Sequence, residues 1–245
     1  MIAMPRRLHV PQITAGQFDL PVAQAHHARD VLRLAAGQTI EIFDDAGAVA
    51  SATIIACDPS RVTVTIDRTN PAPPQKTIII IASAVPKSTR ADWMIEKLSE
   101  LGVDRFIPLA TERSVVVPEG KQKLARWSRL ASEAARQSRR HGVMKIHPVT
   151  TLPDLLARLP EFAAKAVYLS PDSPTPLTNL MTDPSDAKLL LIGPEGGWSD
   201  AETAMFTQAG LAALRLTDTI LRIETAAIVA AAIASLSSCE RPRPA

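Results

Sequence analysis

Residues Leu191 to Glu202 read LIGPEGGWSDAE, and the order of residue types along this stretch sets the class of the chain. It follows the apolar run Lys188–Leu191 and precedes a helix start. Gly193 lets the backbone leave a strand sharply because it carries no Cβ. Pro194 fixes one dihedral. Gly196 and Gly197 admit close approach of another backbone or of a ligand. Ser199 and Glu202 have the S-x-x-E form of a capping box, so a helix begins there. The chain has only ten glycines, and three of them lie here. A glycine-rich bend between a strand's carboxyl end and a helix is where α/β sheets hold ligands. The same spacing also fits a tight turn that holds nothing. Glu195, set among the glycines, reads as a buried carboxylate.

The surrounding sequence has matching texture. Thr77–Val85, TIIIIASAV, is a continuous β-branched run, as in a strand covered on both faces. Asp92–Val103 reads as a helix, Arg105–Ala110 as a strand and Glu119–Arg140 as a long helix. Lys165–Ser170, Lys188–Gly193 and Leu211–Thr217 read as strands, and Glu224–Ser238 as a closing alanine-rich helix. This alternation predicts an α/β domain with a mainly parallel sheet over 77–245. Ser170–Pro176, SPDSPTP, is a loop whose order the sequence leaves open.

Residues 1–70 differ. Arg61–Thr69, RVTVTIDRT, alternates apolar and polar residues, the pattern of a half-buried strand. Gln38–Phe43 and Val49–Cys57 are similar, with a turn at DDAG between them. A short helix is predicted over Val22–Leu32, with Pro21 at its start. The whole predicts a small β-barrel or sheet. NPAPPQ, Asn70–Gln75, can continue neither kind of element, so the linker is placed at 71–76.

Composition excludes several classes. Apolar residues make up 46% of 245, yet none form a run of transmembrane length. The opening MIAMPRRLHV lacks the apolar core of a signal peptide, and Cys57 and Cys239 match no zinc spacing. A reducing, cytoplasmic setting follows. The histidines, at 9, 26, 27, 141 and 147, make no metal-spaced set, so no metal is expected. A dinucleotide fingerprint would need glycine where Glu195 stands. No phosphate-binding G-x-x-x-x-G-K-[ST] or G-x-S-x-G elbow occurs.

The net charge is only +2, but it is unevenly spread. Lys121, Lys123, Arg126, Arg129, Arg136, Arg139, Arg140 and Lys145 face one acid, Glu133, within 121–145. Arg126, Arg129, Glu133, Arg136 and Arg140 form one helical stripe; Leu124, Trp127, Ala131 and Ala134 form another. With so few acids, pairing along the helix does not explain the stripe, and a polyanion such as nucleic acid does.

These motifs together resemble the ribosomal RNA small subunit methyltransferase E family of the SPOUT superfamily. LIGPEGGWSDAE followed by ILRIETAA carries the resemblance. PRRLHV near the N-terminus, HARDVLRLAAGQ at 27–38, IEKLSELGVDRFIPLATERSV at 95–115 and RWSRLASEAARQSRR at 126–140 extend it over nearly the whole chain. The resemblance implies a PUA-like barrel followed by a methyltransferase domain with a C-terminal trefoil knot. It implies a cytoplasmic homodimer that uses S-adenosylmethionine to methylate N3 of one uridine of 16S rRNA, within the 30S subunit. Its cofactor loops map onto Ile192, Gly193, Pro194, Gly196 and Gly197, and onto Leu216, Thr217, Ile220 and Leu221. Thr217 stands where the family usually has glycine, and Ile223 where it has a small or hydroxylated residue. Arg6, Arg7 and Arg33 on the first domain, and Arg129, Arg136, Arg139 and Arg140 on the long helix, are the expected RNA contacts. Arg222 and Glu195 are the candidate catalytic residues. A bland role remains open for each: Arg222 pairs with Glu224 or caps the last helix, and Glu195 anchors its loop. Another RNA target within the same fold, and an RNA-binding protein without catalysis, are the alternative functions.

Overall fold

The structure, a computed structural model, describes residues 6–70, 77–116, 120–183 and 185–239. The linker expected at 71–76 and the start of the long helix at Glu119 lie outside the described residues. The chain divides into two compact units, one of residues 1–74 with 135–143, the other of 75–134 with 144–245.

The first unit holds β1 (Arg6–His9), β2 (Gln17–Asp19), α1 (Val22–His26), β3 (Thr39–Phe43), β4 (Val49–Cys57) and β5 (Val62–Asn70). Its sheet runs β1-β3-β4-β5-β2; β1 pairs parallel with β3, and the other pairs are antiparallel. The alternation in β5 falls as expected: Val62 and Val64 are buried and Asp67 is exposed. They join Leu8, Val10, Ile40, Ile42 and Ile54 in one core. The helix predicted over Val22–Leu32 changes character midway. From His27 to Val31 it widens to a π-turn, and Leu32 N donates to His27 O at 2.9 Å. Arg33 then takes a left-handed φ of 52°, the position glycine usually fills, and Leu34 N donates back to Ala28 O at 2.9 Å.

The second unit holds β6 (Ile78–Ser83), α2 (Thr89–Glu100), β7 (Arg105–Ala110), β8 (Lys145–Ile146), β9 (Thr150–Thr151), α4 (Leu152–Ala157), α5 (Leu159–Phe162), β10 (Lys165–Leu169), β11 (Ala187–Ile192), α6 (Asp200–Gln208), β12 (Ala212–Leu214) and α7 (Ile223–Cys239). Helix α3 (Lys121–Gln137) begins in this unit and ends in the first. The sheet order is β12-β10-β11-β6-β7-β8, with β9 beside β7, and every pair is parallel. The apolar runs that read as doubly covered strands, β6 and β11, are its two central strands. All six residues of β11 are buried, Lys188 among them. Its Nζ donates to Leu180 O at 2.6 Å, so the charge is taken inside against the 3-10 turn Leu177–Thr182.

His147, just past β8, stands half-buried among cations. Burial first, and then Arg105, Arg158 and Lys145, push its pKa below the ordinary histidine value. Its Nε2 is buried and accepts no hydrogen bond from the described residues. The folded chain therefore resists the proton. Above the unfolded histidine's pKa both states are neutral and full stability is present. As pH falls through that value, roughly 6.5, the unfolded state is protonated first and stability declines toward the folded pKa. Calorimetric Tm is expected to fall as pH drops below about 7, and His147→Gln to flatten that fall. An identical slope in the variant would contradict this assignment.

Candidate functional site

Three adjacent parallel strands, β12, β10 and β11, release their loops at one edge of the sheet. This is the ligand side of an α/β fold. The loop after β10, SPDSPTP, is hydrogen-bonded along β12. Ser170 N donates to Leu214 O (3.0 Å), Arg215 N to Thr175 O (2.7 Å), Leu177 N to Arg215 O (2.8 Å) and Ser173 Oγ to Ala213 O (2.8 Å). The prolines cannot donate, so the intervening residues lace the loop along β12.

The loop after β11 is a turn in which Gly197 N donates to Pro194 O at 2.9 Å, with Gly197 at φ 70°. Gly193 is glycine because of a tryptophan. A Cβ there would stand 2.9 Å from Trp198 Cε2. The indole cannot easily yield: its Nε1 donates to Leu169 O at 2.9 Å, and its ring meets Phe206 edge-on at 4.8 Å. Gly196 differs. A Cβ there would meet only Arg113, at an ordinary 3.5 Å, so packing within the chain does not demand glycine. Its open side is where a ligand's close approach would.

The predicted capping box is present. Glu202 N donates to Ser199 Oγ (3.2 Å), and Ser199 N to Glu202 Oε2 (2.8 Å). The other oxygen of Glu202 accepts from Glu112 N at 2.9 Å, and the residue is 4% exposed. The buried anchoring carboxylate is thus Glu202. Glu195, expected to be buried, is exposed on the turn and bonds to none of the described residues, so it does not anchor the loop to them.

The loop after β12 leaves its backbone open. Among the described residues, no backbone N–H from Leu216 to Leu221 finds an acceptor, and of their carbonyls only that of Thr219 accepts, from Thr217 Oγ1 at 2.7 Å. The threonine in the glycine position therefore satisfies its own hydroxyl and braces the bend. Arg215 and Asp218 pair at 3.1 Å across it. Ile220 is 85% exposed. Backbone polar groups left open in this way bind water or a ligand.

Arg222 ends this loop. It is exposed, its carbonyl accepts from Ala226 N at 2.9 Å, and its guanidinium forms no hydrogen bond or ion pair with the described residues. The expected alternative, a pair with Glu224, is not what forms. Buried Glu224 pairs with Arg90 at 3.3 Å.

The arginines expected to meet RNA separate by unit. In the first unit Arg6, Arg33 and Arg139 are exposed. Arg136 is half-buried and hydrogen-bonds the His27 ring, and Arg140 is half-buried with contacts of its own. Arg7 turns inward: it is 6% exposed, lies 4.1 Å over the Phe43 ring and sits 2.8 Å from Glu41. Burial first lowers its pKa, and Arg139 lowers it further against the opposing effect of Glu41. An inward arginine packed on an aromatic ring is a structural group, not a phosphate contact. In the second unit Arg129 is exposed, while Trp127, Ala131 and Ala134 form the buried stripe. Arg126 is held by Asp92 at 2.6 Å, a partner far away in sequence.

Sequence reasoning missed Arg113. Its Nη1 donates to Gly196 O at 2.8 Å and to Trp198 O at 3.3 Å. The available signal was a charged TER segment directly after a parallel strand, at the sheet edge where ligand loops gather.

A family model described as an RNA methyltransferase domain matches residues 73–235, and one described as an RNA methyltransferase PUA domain matches 20–67. The ribosomal RNA small subunit methyltransferase E of Bacillus subtilis is 31% identical over 226 residues, covering 88% of this chain and 88% of that one. Its counterpart in Synechocystis is 32% identical over 226 residues, covering 90% and 73%. Among solved structures, the enzyme of that name from Neisseria gonorrhoeae, bound to S-adenosyl methionine, superposes with a TM-score of 0.83 at 29% identity, covering 94% of this chain and 95% of that one.

Proposed function

The chain belongs to the ribosomal RNA small subunit methyltransferase E family, and from that premise we propose that it transfers a methyl group from S-adenosylmethionine to N3 of one uridine of 16S rRNA in the 30S subunit. The observation that carries the reading is the trio of loops at β10, β11 and β12. Together they offer an exposed glycine turn and a stretch of unsatisfied backbone. Such a cradle suits a cofactor held through the polar edge of a purine. Ile192, Gly193, Pro194, Gly196 and Gly197 on one side, and Leu216, Thr217, Ile220 and Leu221 on the other, would hold it. When bound, S-adenosylmethionine supplies an electrophilic methyl group.

The chain's own work is position and charge. Uracil N3 carries a proton and is a poor nucleophile until that proton leaves. Its pairing edge must also be exposed, so the base is taken unpaired or flipped. Arg222, exposed and uncommitted to any described residue, stabilises the negative charge that develops on the ring. Glu195, equally uncommitted, is available to accept from an amide N–H of substrate or cofactor. Arg6, Arg33, Arg129 and Arg139 meet phosphates, with Arg136 and Arg140 in support.

The working form is a cytoplasmic homodimer with a closed PUA-like barrel and a C-terminal knot. Helix α7 buries Ala227, Ala230, Ala231 and Ala234 within the chain but leaves Leu236 exposed and Ile228, Val229 and Ile233 partly so. An apolar face of that kind suits a second copy. The path of the chain suits a knot: from β12 at the sheet's edge, α7 returns to pack on central β6 and β11.

The test is methylation of 30S subunits lacking the modification, with mass spectrometry of the product and light scattering of the enzyme. A single 3-methyluridine and a dimer are expected. Charge reversal at Arg129 and Arg139 should weaken 30S binding and its salt dependence while leaving cofactor affinity unchanged. A methyl group on another atom would overturn the proposed chemistry.

A further inference from the structure

The turn Thr111–Ser114, just after β7, is closed on itself. Thr111 N donates to Ser114 Oγ (3.0 Å), Ser114 N to Thr111 O (3.1 Å), and the two hydroxyls lie 2.8 Å apart. Its two middle residues both reach the glycine loop. Glu112 N donates to the buried Glu202 carboxylate, which in turn holds Ser199 N. Arg113 Nη1 donates to the carbonyls of Gly196 and Trp198, on either side of Gly197. One end of the Gly193–Ser199 loop is thus set by Glu202, and its turn is set by Arg113. Within the turn itself, only the bond from Gly197 N to Pro194 O opposes opening.

We propose that Arg113 is a positioning residue for the cofactor loop. By holding two carbonyls to one side, it fixes the Gly196–Gly197 and Trp198–Ser199 peptides and turns the open face of Gly193–Gly197 toward the ligand. The inference rests on the reading of this loop as the S-adenosylmethionine site. The choice of arginine has a physical reason. A charged donor makes stronger bonds to neutral carbonyls than an amide would, and its planar group reaches two acceptors with one nitrogen. Arg113 is exposed, so its removal leaves no cavity in the core.

Two measurements test this on the full-length chain. Amide hydrogen exchange without cofactor should show faster exchange at Gly197 and Ser199, the two hydrogen-bonded amides of the held peptides, in Arg113→Ala, with the core strands unchanged. Calorimetric titration with S-adenosylmethionine, without RNA, should show affinity reduced about tenfold or more. Arg113→Lys should recover part of both, because it keeps a charged donor but carries it on a shorter side chain without the fixed in-plane N–H directions. Wild-type exchange at the loop in Arg113→Ala would overturn the proposal, as would a lowered melting temperature with loop exchange unchanged. If the wild-type chain binds no S-adenosylmethionine, the functional reading fails instead, and the exchange experiment still decides what Arg113 does to the loop.

Discussion

Arg222→Ala is expected to bind S-adenosylmethionine and 30S subunits nearly as the parent does and to lose about 10²–10³ in single-turnover rate, the usual cost of one donor that stabilises transition-state charge. A structural arginine at this position would have paired with Glu224, and its loss would then lower stability and binding together. That role is already filled, since Glu224 is paired with Arg90. Truncating Arg222 breaks no side-chain hydrogen bond or ion pair with a described residue, so the folded state should register little of the change. On the proposed role, its interaction would grow only as the uracil becomes an anion, and losing an interaction of that kind lowers kcat. Arg222→Lys should restore part of the rate, since it keeps the charge and loses the fork. Single-turnover methylation at saturating cofactor and RNA, across pH, reads this directly. Parental turnover in the alanine variant would end the electrostatic role.

Gly193→Ala is expected to cost about 1–3 kcal/mol through overpacking, read as a lower Tm and as cofactor affinity weakened by about tenfold to a hundredfold. The added methyl group would stand 2.9 Å from Trp198 Cε2 and 3.2 Å from two further ring atoms. That ring is fixed from three directions, by Gly193 itself, by the Leu169 carbonyl and by Phe206. Relief must therefore come from the loop backbone, which is what would shape the cofactor site. The cause can be isolated with a second change. Trp198→Leu removes the offending ring, and in that background Gly193→Ala should cost much less. Gly196→Ala supplies the contrast. Its methyl group fits beside Arg113, so stability should hold while cofactor affinity falls. Equal costs for Gly193→Ala with and without the indole would contradict the steric account.

What the sequence determined by itself is local and periodic. The two-residue alternation of Arg61–Thr69 became β5 with Val62 and Val64 inside, because strand side chains alternate between faces whatever lies beyond them. The run TIIIIASAV became a central strand because only a doubly covered position buries so many consecutive β-branched residues. The S-x-x-E box became the start of α6, since both of its bonds close within four residues. Motif order carried the family, and composition carried the charge of α3.

Tertiary structure decided the partnerships that reach beyond one turn of chain. Glu195 and Glu202 are both glutamates near glycines, and the sequence offered the wrong one as the buried anchor. The choice was made by Glu112 N, 90 residues away, which comes within bonding distance of Glu202 only after β7 and β11 enter one sheet. Arg222 lies two residues from Glu224, yet Arg90 takes that carboxylate. Arg7 reads like Arg6 in the sequence and turns inward onto Phe43, because neighbouring strand residues face opposite ways. Lys188 reads as the polar end of a strand, and it is buried because the 3-10 turn supplies it with a carbonyl. For the glutamates and the arginines the competing side chains have the same chemistry, and their tertiary surroundings select between them.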